Sequence, residues 1–405
     1  MQFTNYHKAV RYLIHEIPKT SRLVFNDAET IAKNFKIMEL LGNPQNSHPV
    51  IHVAGTSGKG TICYLIDGIL RAHSKRTGMT QSPHVYDIRE RIQINGQLVS
   101  EKHFTHSLNT VLERLREGSV RASYFETLVA MGFHLFSKVP LDYMVIETGF
   151  GGRLDATNVT KENKVCVLGQ IGFDHMESLG NTLEKIAGEK AGIVQEGSQV
   201  VALRQSEEVN KVFEERCQQM SAKLTWVEQA GDYQKTNDAL ARAACELVAQ
   251  RDGWQLDDAL VESVLQQVFI PGRFEKRHYK EHLLILDGAH NPQKLSAFAN
   301  RIQRENKAPV TIILALGEHK DVRKCLEAIK PITQRIIATE YFTKQQDIPV
   351  HPQPAVEIAK ICKELGIEVS VHGSPKNALE EAVNFAEPIA ATGSFYLLSE
   401  IDREM

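Results

Sequence analysis

Cysteine is sparse in this chain and never paired in spacing. Cys63, Cys166, Cys217, Cys245, Cys325 and Cys362 are six in 405 residues, and no two form a CxxC. That argues against a zinc site or a disulfide framework and for reduced thiols in a cytosolic, cytoplasmic compartment. No charge of one sign dominates, since 47 Lys and Arg face 50 Asp and Glu for a net charge of −3. Bulk electrostatics therefore offers nothing to nucleic acid or to an acidic membrane. No apolar run reaches membrane-spanning length, and Met1-Gln2-Phe3-Thr4-Asn5-Tyr6-His7 is too polar for a signal peptide. Internal repeats, low-complexity stretches and a Ser-His-Asp or Cys-His nucleophile pattern are also missing. What is left is ordinary globular composition, long enough for a large core and two or three domains.

The most informative feature present is Val50-Ile51-His52-Val53-Ala54-Gly55-Thr56-Ser57-Gly58-Lys59-Gly60-Thr61. Its first five residues suit a buried parallel strand. Gly55, Gly58 and Gly60 let the backbone curl and turn N–H groups, with those of Thr56 and Ser57, into one concavity. Lys59 adds a point charge for phosphate oxygens, and Thr61 a hydroxyl for Mg²⁺. Ile62 to Leu70 follows as a helix whose N-terminal dipole favours anions. The bland reading is a glycine-rich strand-to-helix turn. Gly60 also separates this loop from the standard Walker pattern.

Asp27 to Leu41 is expected to be a helix capped by Asp27, with Ile31, Phe35, Met38 and Leu41 on one face. Gly42 and Pro44 stop it. Tyr143–Ile146, Val165–Leu168, Val200–Leu203, Leu283–Leu286, Thr311–Leu316, Ile336–Thr339 and Phe395–Leu398 read as strands. Strands alternating with helical stretches indicate parallel α/β sheets with crossover helices. Pro271-Gly272-Arg273 and the charged run Glu275-Lys276-Arg277-His278 mark a boundary near 270–282, giving domains 1–274 and 275–405.

Several strand-to-loop junctions carry chemistry, where open α/β sheets place ligands. Glu147 directly follows Tyr143–Ile146 and opens Glu147-Thr148-Gly149-Phe150-Gly151-Gly152-Arg153-Leu154-Asp155, the place of a Mg²⁺-holding acid. The plain alternative is a surface loop acid. Asp174 and His175 suit a hard cation, although a lone histidine is more often structural. Lys190 reads on its own as a solvated helix lysine. Ser82-Pro83-His84 and Arg89-Glu90-Arg91-Ile92 suit an anionic substrate, against the ordinary reading of a solvated charge cluster. Asp287-Gly288-Ala289-His290-Asn291-Pro292 offers short polar groups at a glycine turn.

The ordered set GTSGKGT, SPH, ERIxING, YFE, ETGFGGRLDATN, GFDHMESLG, EKAGI, PGRFE and DGAHNP resembles the folylpolyglutamate synthase and dihydrofolate synthase family of the Mur-ligase superfamily. The match runs from about residue 27 to the final TGSFYLLSE. It implies an α/β protein with a P-loop ATP-binding Mur-ligase central domain and a smaller Rossmann-like C-terminal domain, with catalysis at their interface. Thr61, Ser82, Glu147 and His175 match positions surrounding two Mg²⁺ ions, and Lys190 matches a lysine carbamylated in the family. Asn237 matches an adenine-contacting asparagine, and Arg273, Asp287 and His290 match nucleotide residues. Ser123, Phe125, Asp155 and Ala156 match positions that hold the dihydropteroate, while Ser82, Pro83 and Arg89 stand as substrate candidates from their own charge and position. Ser57 and Thr61 replace the Asn and Ser of the family's usual GTNGKGS, and Phe150 replaces a usual leucine.

The implied reaction is ATP-dependent amide formation, in which L-glutamate is joined to a dihydropteroate or tetrahydrofolate carboxylate through an acyl phosphate. Lys59, Lys190, His175 and Arg273 are the expected catalytic residues, with two Mg²⁺ ions. The resemblance implies a monomer with small-molecule partners and no nucleic-acid or membrane partner. Three alternatives stand beside it: a Mur-type ligase on a UDP-sugar peptide, a P-loop NTPase switch, and a silent nucleotide-binding protein. GGRLDATN and YFE favour the folate acceptor over the first.

Overall fold

The computed structural model describes residues 2–18, 27–161, 164–173, 176–305, 307, 309–342 and 351–405. The chain forms two compact units. One comprises residues 1–84 and 88–268, the other residues 85–87 and 269–405.

The first unit is built on an eight-stranded sheet. Its strands are β1 Val50–Ala54, β2 Thr77–Thr80, β3 Ile92–Ile94, β4 Gln97–Leu98, β5 Tyr143–Glu147, β6 Lys164–Leu168, β7 Gln199–Leu203 and β8 Lys223–Val227. They lie in the order β4-β3-β2-β5-β1-β6-β7-β8. From β2 to β8 every pairing is parallel, and β3 and β4 extend one edge antiparallel. Both faces of the parallel part are covered, so β1, β5 and β6 are buried at every residue, as crossover helices require. One apolar layer gathers Phe104, Leu108, Phe133, Phe136, Met144 and Ile146. Another gathers Leu168, Ile186, Ile193, Val200 and Phe213.

Central β1 runs between β5 and β6. Val53 is level with Glu147, and Ala54 with Leu168. Backbone register alone therefore brings the carboxyl ends of three neighbouring strands together at the loop after β1. Open α/β sheets bind ligands at such a point.

The second unit has six strands: β9 Glu275–Tyr279, β10 His282–Asp287, β11 Thr311–Leu314, β12 Arg335–Ala338, β13 Glu368–Val371 and β14 Ile389–Thr392. Their order is β13-β12-β11-β14-β10-β9, parallel except for the β9–β10 hairpin. Residues 85–87 pack here. Val85 joins Leu284, Leu286 and Phe395 in the core, and Tyr86 donates its hydroxyl to Glu275 Oε2 at 2.8 Å.

Local expectations differ in places. Phe395–Leu398 is helical, part of Phe395–Asp402, and the strand before it is Ile389–Thr392. Ser394 caps that helix by accepting from Tyr396 N. β11 ends at Leu314. The helix Asp27–Leu40 buries Asn34, Ile37 and Met38, while Ile31 is exposed. The capping role expected of the Asp27 side chain lies outside the described residues. Among the described residues, no helix is long and apolar enough to cross a membrane.

Candidate active site

β1 delivers the chain into the loop 55–58, and the helix Lys59–Ala72 leaves it. Thr56 fixes the loop to the segment after β6. Its N–H donates to Gln170 O at 2.8 Å, and its hydroxyl donates to Gly172 O at 3.2 Å. Gly58 caps the helix at φ +85°. A Cβ there would lie 2.5 Å from Asn237 Oδ1. Asn237, on the helix Tyr233–Asp252, is therefore packed onto the phosphate loop, with its Nδ2 buried and without a hydrogen-bond partner. Ser57 Oγ is likewise buried and unpartnered. Two orphaned polar groups beside a loop of N–H donors are what a bound polar ligand would satisfy.

Glu147 stands on the other flank. A Cβ on Gly60 would be 3.4 Å from its Oε2, and the same oxygen accepts the Ser82 N–H at 2.8 Å. Thr61 is buried in the first turn after Lys59. The structure thus brings together Gly60, Thr61, Ser82 and Glu147, and it buries the acid that alone could have been a surface residue. Among the described residues, no three His, Cys, Asp or Glu side chains form a metal cluster. The donors gathered here are hydroxyls and one carboxylate. His175 and Asp174 lie outside the described residues.

Beside Glu147 is a small pocket lined by Thr80, Ser82, Arg91, Phe125, Glu147 and Thr157 among others. Its lining mixes apolar Phe125, Leu128 and Val129 with polar and charged groups. Arg91 is the arginine that reaches it. Arg89, the expected one, has its guanidinium 5.4 Å from the centre of the Tyr6 ring. Arg91 Nε donates to His84 Nδ1 at 2.8 Å and lies over Tyr124 at 5.5 Å. The peptide bond between Ser82 and Pro83 is cis.

Other expected acceptor residues also build the site's frame. Ser123 caps the helix Tyr124–Phe136 in a reciprocal capping box with Glu126, worth about 1 kcal/mol. Asp155 accepts Phe150 N–H at 2.7 Å on one oxygen, and the Thr157 hydroxyl and N–H at 2.5 and 3.0 Å on the other. Burial pushes its carboxyl pKa up, against those hydrogen bonds. Ala156 is buried next to it. Lys190, in the helix Leu183–Ala191, is 5% exposed, so it is not the solvated lysine its local sequence suggests. The 149–155 loop is held against this helix end, with Arg153 N–H donating to Glu189 O at 2.8 Å.

In the second unit, Asp287 ends β10. Its two oxygens accept Phe274 N–H and Ala289 N–H, each at 2.8 Å. Arg273 lies over the Phe395 ring at 4.6 Å. His290 donates from Nδ1 to Gly288 O at 2.7 Å, and Lys294 Nζ donates to its Nε2 at 3.2 Å. Burial, then Lys294, holds its pKa well below the ordinary value, so this histidine is neutral. Sequence reasoning missed Thr157 and His52. Thr157 hides inside a quoted motif, and His52 reads only as strand.

A phosphate loop on a parallel sheet, with a buried acid from the adjacent strand beside it, defines an α/β nucleotide-binding protein of the P-loop class. Comparison with known proteins gives the family. Residues 272–404 match the model of the dihydrofolate synthetase C-terminal domain. The Schizosaccharomyces pombe probable dihydrofolate synthetase is 30% identical, over 92% of this chain and 97% of that protein. The Saccharomyces cerevisiae dihydrofolate synthetase is 29% identical, over 91% and 96%. The Mycobacterium tuberculosis folylpolyglutamate synthase structure, complexed with ADP and AMPPCP, superposes with a TM-score of 0.84 at 26% identity, over 98% of each chain. The chain belongs to the folylpolyglutamate synthase and dihydrofolate synthase family, with the Mur-ligase-like fold and a C-terminal α/β domain. It is an ATP-dependent carboxylate–amine ligase.

Proposed function

We propose that this ligase joins L-glutamate to a dihydropteroate or tetrahydrofolate carboxylate, consuming ATP with a divalent cation. The observation that carries the reading is the buried Glu147 carboxylate set between Gly60 of the phosphate loop and the Ser82 N–H. Glu147, Thr61 and Ser82 supply hard oxygen donors. Mg²⁺ is typically held by one or two carboxylates together with substrate phosphates, and this donor set fits it. When bound, the cation neutralises charge on the triphosphate. Two such ions, a carbamate on Lys190 and participation of His175 follow from the family resemblance.

The loop 55–60 and Lys59 cradle the phosphates, and Asn237 lies against that loop to meet the base. Arg273, Asp287 and His290 are the proposed nucleotide residues of the second unit. An oxygen of the acceptor carboxylate attacks the γ-phosphorus, and the β–γ bridging bond breaks to release ADP. The glutamate amine then attacks the acyl phosphate, loses a proton and expels phosphate. Such chemistry rests on alignment and charge rather than on a protein nucleophile. Arg91 and Phe125, with Ser82 shared, line the pocket assigned to the acceptor, and Pro83, Arg89, Ser123, Asp155 and Ala156 are further acceptor candidates taken from the sequence. Six buried cysteines, none in a disulfide, support a reducing cytoplasmic setting, and a monomer is proposed.

The test is ADP release with glutamate and a panel of dihydropteroate, tetrahydrofolate and UDP-muramoyl acceptors. Release is expected only with a folate-type acceptor and glutamate together. Glu147→Gln is expected to raise the Mg²⁺ requirement at least about tenfold, because a neutral amide is a poor ligand for a hard cation. Release with the UDP-muramoyl acceptor, or without any carboxylate, would overturn the reading.

A further inference from the structure

We infer that His52, in the middle of the strand that feeds the phosphate loop, is a positioning residue that fixes the acceptor wall as a single neutral Nε2–H tautomer. The kinetic part of this inference rests on the ligase reading above, and the tautomer does not. His52 is fully buried. Its Nε2 lies 2.8 Å from Thr157 Oγ1 and 3.1 Å from Thr148 Oγ1. Thr148 opens the loop that begins after Glu147, and Thr157 lies nine residues further along it. One ring nitrogen therefore faces two separate points of that loop.

The hydrogen positions follow from the partners. The Thr157 hydroxyl donates to Asp155 Oδ1 at 2.5 Å, where the Thr157 N–H also arrives. Its proton is spent, so its oxygen accepts from His52, and the imidazole proton resides on Nε2. Nδ1 is buried with no hydrogen-bond partner. A lone pair tolerates that position better than an N–H, whose unmet donor would cost about 1–3 kcal/mol. A charged ring is further disfavoured by its own burial and then by the buried Lys164 amine, whose pKa burial lowers to about 8. Lys164 holds the far end of the same loop, donating to Asn158 Oδ1 at 3.2 Å and Thr160 O at 3.4 Å.

Thr157 lines the pocket shared with Ser82, Arg91, Phe125 and Glu147. Releasing it moves the acceptor's wall. The phosphate loop keeps its strand ladders on both sides. Small misplacements of this kind are costly to a reaction that depends on alignment.

His52→Leu keeps the bulk and removes the donor. It is expected to lower kcat/KM for the folate acceptor about tenfold or more, with KM for ATP changed less than about twofold. His52→Gln, whose amide can donate to Thr157, is expected to recover most of that loss. Nitrogen-15 NMR of the wild-type imidazole at neutral pH is expected to show the neutral Nε2–H form. If His52→Leu fails to fold, Thr157→Val carries the same kinetic expectation. An Nδ1–H or doubly protonated ring overturns the inference. So does a loss falling equally on ATP and acceptor, or a Gln variant no better than Leu. The expected tautomer in a protein that ligates no folate would instead sink the functional reading and leave the assigned proton in place.

Discussion

Lys190 illustrates how far one residue's surroundings can depart from its local sequence. In Glu189-Lys190-Ala191-Gly192 nothing marks it, and a helix lysine ordinarily extends its ammonium into water. Here it is buried, with the 149–155 loop pressed on its backbone. A Cβ at Gly152 would lie 2.6 Å from Glu189 O and 2.9 Å from Lys190 O. The last glycine of ETGFGGR, Gly152, is thus a packing requirement, which the sequence displayed without its reason. The proposed function sets Lys190 near a metal-bound triphosphate, where an ammonium would repel the cation and a carbamate formed with CO₂ would reverse the sign. Lys190→Ala is therefore expected to lose nearly all activity and to regain part of it with a short-chain carboxylic acid such as acetate. Labelled ¹³CO₂ should give a carbamate resonance in the active wild-type enzyme. An unmodified Lys190 in a fully active, nucleotide-bound enzyme would remove the carbamate from the mechanism.

Helices and strands carry consequences that the motifs do not. The helix Tyr124–Phe136 is buried almost all round, yet it contains His134. The imidazole Nδ1 lies 3.0 Å from Ser107 Oγ on the helix Glu101–Glu117. Burial first, then Lys138 and His106, lowers its pKa from 6.5 to about 4. Because the folded value is depressed, the unfolded chain takes up the proton first as pH falls. Stability is unaffected above about pH 6.5 and declines toward pH 4, by at most about 3 kcal/mol. Urea midpoints measured across that interval should fall more steeply for the wild type than for His134→Gln, and parallel curves would show that His134 carries no such penalty. The same helix YFETLVAMGFHLF shows why elements were unevenly legible. Where burial surrounds an element, periodicity vanishes. Tyr143–Ile146 was readable because it is short and ends at Glu147, whereas Phe395–Leu398 is an apolar run of strand length that belongs to a buried helix. The deciding cue was Gly393-Ser394, a turn with φ +103° at the glycine followed by an N-cap. Ile31 was misplaced for a related reason, since the buried stripe of its helix runs through Asn34, and a polar residue does not register as core.

At the scale of the whole molecule, the alternation of strands and helices gave two parallel α/β sheets, because crossover geometry leaves few other topologies. Strand order and the packing of residues 85–87 with the second unit are set by tertiary contacts such as Tyr86 with Glu275, which no local pattern encodes. The nucleotide residues assigned by resemblance are split in the same way. Lys59 and Asn237 belong to the first unit, and Arg273, Asp287 and His290 to the second. The proposal therefore demands that ATP affinity respond to changes in either unit. Charge-assisted hydrogen bonds contribute about 1.5–3 kcal/mol each, which corresponds to roughly tenfold to a hundredfold in affinity. Calorimetric titration with a non-hydrolysable ATP analogue should show losses in that range for both Lys59→Ala and Arg273→Ala, at unchanged stoichiometry. The unliganded melting temperatures should fall only slightly, since both side chains are half-buried and Arg273 gives up its contact with the Phe395 ring. Analogue at about a hundred times its Kd should stabilise the wild type by about 2.7 kcal/mol. At that same concentration, each variant should retain only the smaller stabilisation its weakened affinity allows. Wild-type affinity in Arg273→Ala would show that the second unit takes no part in holding the nucleotide, and would confine the ATP site to the loop between β1 and its helix.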